Sequence, residues 1–319
     1  MKKLQILYMR DTMIINSSNE WSRLKSVVVG SATNANWPTT DPVFAEESKK
    51  TTWTATPVPG GPVPQWIVDE ANEDLEVLAN TLRQLRIQVH RPQDMNFPQL
   101  AGMYNYCPRD RLIIAGSTVI VPNMMYPCRN MEDVALGFVL DAAEHVKYMP
   151  KDQGMIMDAA NVSRLGDHWL FLESPSGNRA AYEWLCEQLP DIKIDLVNFY
   201  AGVHIDSTIT PLREGLVALN ASRVNQVNCP RAFDGWEKIW VQDVVAQDFH
   251  EYPYASKWVG MNMLSIDENT VVIDAAQTQL IKDLERCGID GIPLTLRHAR
   301  TLGGSFHCVT LDLVRDSAK

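Results

Sequence analysis

"RLIIAGSTVIVPN" spans residues 111–123 and reads as two apolar strands folded around Gly116. The surrounding chain repeats the phrase. A helix is expected near 132–147, after this hairpin, and a second hairpin follows in "RLGDHWLFLES" (164–174). Its helix carries Ala181, Leu185 and Leu189 and stops at Pro190. "STITPLREGLVALN" (207–220) turns at Pro211 and Gly215, and "WVGMNMLSIDENTVVID" (258–274) precedes a helix with Leu280, Ile281, Leu284 and Cys287. Gly288 sits where a C-terminal helix cap belongs, and "IPLTL" closes that unit as a strand. On the N-terminal side, "LKSVVVG" (24–30) is a buried strand and residues 31–66 read as a long loop. A helix with Ala71, Leu75, Leu78, Leu82 and Leu85 on one stripe then leads into the strand "IQVH" (87–90).

Hairpin, helix and strand in about five copies predict an α/β fold of pseudo-symmetric modules rather than an open nucleotide-binding sheet. No G-x-G-x-x-G, G-x-x-x-x-G-K-[ST] or H-E-x-x-H appears, so phosphate, dinucleotide and zinc-protease signatures have no support. The 319 residues are 45% hydrophobic and 21% charged, as in a globular protein. The formal charge of −10 argues against a nucleic-acid surface. With no long apolar run, a transmembrane helix is not expected. The start, "MKKLQILYMRDTM", is basic, but Arg10 and Asp11 interrupt any signal-peptide core. Residues 1–14 are therefore read as a disordered extension and 15–319 as one catalytic domain. Six cysteines lie far apart without a C-x-x-C, which points to reduced thiols and a cytoplasmic location, with no metal site.

Candidate chemistry gathers in a few stretches. Cys308 in "TLGGSFHCVTLD" (301–312) reads first as a small buried core residue, the commoner place for a free cysteine, and second as a nucleophile. Gly303-Gly304 favours the second reading, because paired glycines allow close approach of backbone to a ligand. Strand alternation would place His307 and Cys308 on opposite faces, making His307 a poor base. His204 and Asp206 in "AGVHIDSTITPL" (201–212), two apart, would share a face if that segment is extended. Asp110 in "NYCPRDRL" and Asp158 in "MIMDAANVSRLGD" flank apolar runs, where an unpaired carboxylate is costly. Arg223 in "NASRVN" ends a hairpin and reads most simply as a solvated charge.

Together "PRD", "DAAN", "HIDST", "SRVN", "SKWVGMN" and "TLGGSFHC" resemble, in this order, the amidinotransferase family, as does the opening "NEWSRLKSVVVG" (19–30). The likeness covers roughly residues 15–313. It is greatest to the streptomycin-type branch, through "HIDSTITPLREGLVALNASRVN" and "RTLGGSFHCVTLD". The resemblance implies an α/β propeller of five ββαβ modules, of the pentein type, around a central pocket. It implies ping-pong transfer of the amidino group of L-arginine to an acceptor amine, with release of ornithine and with no cofactor. Antibiotic or toxin biosynthesis is the implied setting.

Carried over by motif, Cys308 is the nucleophile, His204 the proton carrier and Asp158 its orienting partner. Asp110 and Asp206 hold the guanidinium, while Arg223 and Ser256 bind the amino-acid end of the donor. The expected partners are small molecules, with neither nucleic acid nor membrane, and a homodimer is left open. "YAGV" (200–203) replaces the Asn-Pro-Met of glycine-using relatives in a segment that lines the acceptor side in the family, which argues against glycine. An aminocyclitol phosphate, an amino acid such as glycine or lysine, or another pathway amine stay as candidate acceptors. Asn161 stands where glycine-using relatives carry Asp, as it does in the streptomycin-type branch. The alternative within the same superfamily is an arginine deiminase-like hydrolase, with water in place of the amine. A non-catalytic guanidine-binding protein is the reading from another class.

Overall fold

A computed structural model describes residues 13–49, 58–198 and 202–317. The expected extension therefore falls mostly outside the described residues. Five three-stranded sheets carry the fold, each with a central strand paired antiparallel on one side and parallel on the other. Four follow the chain directly: the antiparallel pairs are Ile113–Ala115 with Thr118–Val121, Val162–Arg164 with His168–Leu172, Ile209–Arg213 with Leu216–Asn220, and Leu264–Asp267 with Thr270–Asp274. In the first sheet the two ends of the chain meet. Leu24–Val29 pairs antiparallel with the C-terminal strand Thr310–Arg315 and parallel with Gln88–His90.

The central strands explain the ring. A strand covered on both faces reads as an unbroken apolar run, and alternate side chains serve opposite neighbours. In the third sheet Trp169 and Phe171 pack toward the second sheet, while Leu170 and Leu172 pack toward the fourth. In the fourth, Val217 and Leu219 face the third, and Leu216 and Ala218 face the fifth. Val272 of the fifth sheet then joins Val27 and Val29 of the first, whose Val28 reaches back to the second. Five apolar clusters thus bridge consecutive sheets and return to the start, which makes the molecule a five-module α/β propeller.

Each cluster is capped from outside by one crossover. Gln65–Gln84 buries Ile67, Val68, Ala71, Leu75, Leu78, Ala79 and Leu82. Each fully buried leucine there is worth roughly 1.5–3 kcal/mol of apolar burial. The expected stripe ends one residue early, because Leu85 caps the helix and is 37% exposed while Arg86 turns the chain at φ 64°. The helix expected over 132–147 is shorter than its apolar pattern. A 3-10 segment, Pro127–Leu136, passes into an α-turn, Gly137–Ala142, and His145–Tyr148 is a strand parallel to Thr118–Val121. Sheet pairing claims those last residues over their helical period. The fourth module has only the short 3-10 turn Arg231–Phe233 as its crossover, with Phe233 buried. The expected loop 31–66 contains a helix, Pro42–Ser48, started by Asp41, whose carboxylate also accepts from Cys128 N at 2.8 Å. Among the described residues no helix is long and apolar enough to cross a membrane.

Candidate active site

Cys308 sits in a turn, not on a strand. The helix Ala299–Leu302 stops at Gly303, whose φ of 89° is a left-handed conformation suited to glycine, and strand geometry begins only at Thr310. Gly304 fits where nothing larger could: a Cβ there would lie 2.5 Å from Cys107 Sγ and 2.7 Å from Cys308 Cβ. Asn262 sets the turn, its Oδ1 accepting from the N–H groups of His307 (3.1 Å) and Cys308 (3.0 Å). The expected alternation of His307 and Cys308 is therefore corrected. Cys308 Sγ donates to Asp206 Oδ2 at 3.2 Å, and His307 Nδ1 meets the same oxygen at 2.9 Å.

The segment carrying His204 and Asp206 is likewise irregular, since its strand starts at Ile209. Both side chains still reach one cavity, together with Cys308, Asp110, Asp158 and Ser256. His204 Nε2 lies 3.0 Å from Asp158 Oδ2, and Met125 N–H donates to Asp158 Oδ1 at 2.8 Å. The other ring nitrogen, Nδ1, lies 3.7 Å from Asp110 Oδ1. Burial would push this imidazole toward neutrality, but the charges of Asp110 and Asp158 outweigh it and raise its pKa to about 9. Asp206 shows the converse balance. Burial favours its neutral form, yet the hydrogen bond and charge of His307, with the charge of His204, hold it down at about 2.

Asp110 is 3% exposed and its Oδ2 accepts from Arg129 Nη1 at 2.9 Å, but its Oδ1 has no hydrogen-bond partner. Burial raises its pKa, against the charges of His204 and Arg129. A buried carboxylate oxygen with no hydrogen-bond donor, in a residue that lines a cavity, is suited to a cationic N–H donor. The Cys308 thiol is itself pushed well above its ordinary value by contact with the Cys107 thiol, by burial and by the Asp206 charge. A cation beside the sulfur would lower it by favouring the thiolate.

Two comparisons with known proteins match nearly the whole chain. Inosamine-phosphate amidinotransferase 1 of Streptomyces glaucescens is 36% identical over 337 residues, covering 95% of this chain and 97% of the relative. The solved inosamine-phosphate amidinotransferase of Streptomyces griseus has a TM-score of 0.85 at 34% identity, covering 95% of this chain and 97% of that one. The chain belongs to the amidinotransferase family. The L-arginine:L-lysine amidinotransferase of Pseudomonas savastanoi pv. phaseolicola is also similar, at 28% identity over 99% of this chain and 98% of its own. No family profile matches the chain.

The cavity of this amidinotransferase encloses about 410 Å³. Ser256 is on its wall and caps the segment Lys257–Met261, accepting from Trp258 N–H at 3.3 Å. Arg223 is not on that wall. It stands behind it, donating to Thr208 Oγ1 at 2.9 Å and to the Ser207 carbonyl at 3.2 Å. Sequence reading missed Arg129, which pairs in two places with Glu132 (2.9 Å each) and reaches the cavity beside Asp110. The Arg-x-x-Glu spacing was its only signal. Asn262 was missed too, although it lies in a quoted motif.

Of the stretch expected to mark the acceptor side of this amidinotransferase, Tyr200 and Ala201 lie outside the described residues, while Gly202 and Val203 line the cavity. Asn161 acts on this stretch from a distance. It bonds the Leu172 carbonyl (2.8 Å) and Ser174 Oγ (2.9 Å), and Ser174 and Ser176 hydroxyls hold the Val203 carbonyl at 2.8 and 2.7 Å.

Proposed function

We propose that this amidinotransferase takes its amidino group from L-arginine and passes it, in two half-reactions, to an amine of a specialised metabolite. The observation that carries the reading is the convergence of Cys308, His204, Asp206 and the open Oδ1 of Asp110 on one cavity. Asp110 and Asp206 grip the planar guanidinium by charge-assisted hydrogen bonds, and Ser256 meets the amino-acid end. The bound guanidinium's charge favours the thiolate, so the Cys308 proton passes to solvent, and the thiolate Sγ attacks the guanidinium carbon. The bond from that carbon to the side-chain nitrogen breaks, and ornithine leaves with the proton that the His204 imidazolium supplies. An amidino group remains on sulfur. An acceptor amine then attacks the same carbon, His204 takes its proton, and sulfur leaves as the thiolate, which regains a proton from solvent once the cationic product departs. Asp158 keeps the ring oriented and favours its cationic form. Arg223 supports the donor site through Ser207 and Thr208 rather than by direct contact.

The relatives named for inosamine phosphate and for lysine support an amine acceptor larger than glycine, in antibiotic or toxin chemistry. Arginine alone provides the test. One ornithine per active site should appear as a burst, and intact-protein mass spectrometry should show a single added amidino group that is absent in Cys308→Ala. Steady citrulline without an accumulating adduct would replace the transferase reading with the hydrolase.

A further inference from the structure

Behind the nucleophile, away from the substrate cavity, three side chains form a line. His307 Nε2 lies 3.1 Å from Glu20 Oε2, and its Nδ1 lies 2.9 Å from Asp206 Oδ2, the oxygen that also receives Cys308 Sγ. A neutral imidazole has one N–H and one lone pair, so between two carboxylates one contact would be repulsive. The imidazolium donates at both. The groups facing the ring are Glu20 from the N-terminal segment, Asp206 from the loop before Ile209, and Arg109 from the Pro108–Asp110 turn. Burial and the Arg109 charge pull the ring toward neutrality, and the bonds to Asp206 and Glu20 prevail, leaving its pKa raised.

We propose that His307 is a positioning residue: a fixed imidazolium, anchored by Glu20, that holds the Asp206 carboxylate between Cys308 and the guanidinium and offsets its charge. The inference rests on the reading of Cys308 as nucleophile. Its physical basis is the cost of a thiolate 3.2 Å from an anionic oxygen. A cation bound to that oxygen reduces the repulsion and keeps the carboxylate from rotating away.

The two ring nitrogens can be tested separately. In His307→Asn the amide nitrogen falls where Nδ1 was, so Asp206 keeps its donor while the charge is lost. In His307→Gln the amide reaches the position of Nε2, so the donor to Asp206 is lost as well. Single-turnover amidination of Cys308 by arginine should fall at least about 100-fold in His307→Gln and no more than about tenfold in His307→Asn, as expected for a displaced reacting group. The pH midpoint for iodoacetamide labelling of Cys308, followed by peptide mass spectrometry, should rise by about one unit in both variants. An unmoved midpoint, or a Gln variant as fast as the Asn variant, would overturn the proposal. Should the variants fold poorly, nitrogen-15 NMR of the imidazoles in the wild-type chain decides the matter. His307 should carry protons on both nitrogens at pH 7, and a neutral tautomer there would overturn the assignment. If the wild-type chain forms no adduct with arginine, the donor reading fails, while labelling and imidazole signals still report on His307.

Discussion

Two clusters of charge lie on opposite sides of the His307–Cys308 turn, and they are balanced differently. On the inner side, Asp312 faces Arg109, Arg164 and Arg315, and Glu20 faces Arg164, all with exposures of 7% or less. Arg315 also bonds the carbonyls of Ser22 and Ser265, and Arg164 that of Ile114. This cluster ties the N-terminal segment and the first, second, third and fifth modules at the hub. On the cavity side, Asp110, Asp158 and Asp206 share His204, His307 and Arg129, and Asp110 Oδ1 has only the 3.7 Å approach of His204 Nδ1, without a hydrogen bond. Carboxylates matched by the protein's own cations close a ring. A carboxylate left partly unmatched receives a ligand's cation, at some cost in stability.

The largest effect should come from Cys308, the proposed nucleophile. Cys308→Ala should lower transfer on the order of 10⁴-fold or more, while arginine binding by calorimetry stays within a few-fold, because the clamp does not depend on sulfur. Undiminished ornithine release in this variant would remove Cys308 from its role.

The contrast between clusters is tested by a matched pair. Asp312→Asn leaves three buried guanidinium groups facing a neutral amide and should reduce unfolding free energy in urea by about 3–5 kcal/mol. Asp110→Asn should cost under about 1 kcal/mol, since Arg129 retains Glu132. Its kcat/KM for arginine should nevertheless fall by about 100-fold, the worth of a charge-assisted hydrogen bond. Equal stability losses would break the comparison.

The pH dependence sharpens it. In the proposed reaction His204 must be charged to protonate the leaving amine, so adduct formation should decline as pH rises past about 9. The same raised pKa adds stability that is fully present below the ordinary histidine value of 6.5 and is lost as pH rises through about 9. In His204→Asn this part of the stability profile should be flat, and turnover should nearly cease. A wild-type adduct rate unchanged up to pH 10 would exclude His204 as the acid. The smallest effect is expected from Ser256→Ala, a rise of a few-fold in KM for arginine with kcat little altered, as for the loss of one neutral hydrogen bond.

Much of the fold was legible because its central strands are buried on both faces. Runs such as "WLFL" and "LVAL" need no partner to be recognised as strands. Less legible were elements whose local pattern competes with sheet pairing, as at 145–148, where a helical period continues into a strand. In the site, ordered motifs singled out Cys308, His204, Asp158, Asp110, Asp206 and Ser256, and the structure gathers these at one cavity. Arg223, read from its motif as a residue for the donor's amino-acid end, bonds Ser207 and Thr208, of which Ser207 lines the cavity.

The sequence by itself determined the repeating module, the apolar faces that close the ring, and the residue types able to do guanidine chemistry. Those follow from period, burial and chemical character, which are local properties. Only the tertiary structure decided which charges are matched. Glu20 and His307 are 287 residues apart, and His307 and Asp206 are 101 apart. The direction of the His307 ring depends on a turn that Asn262 holds from 45 and 46 residues away. Hydrogen-bond and charge balance of this kind is a sum over neighbours in space. It exists only once the ring has closed.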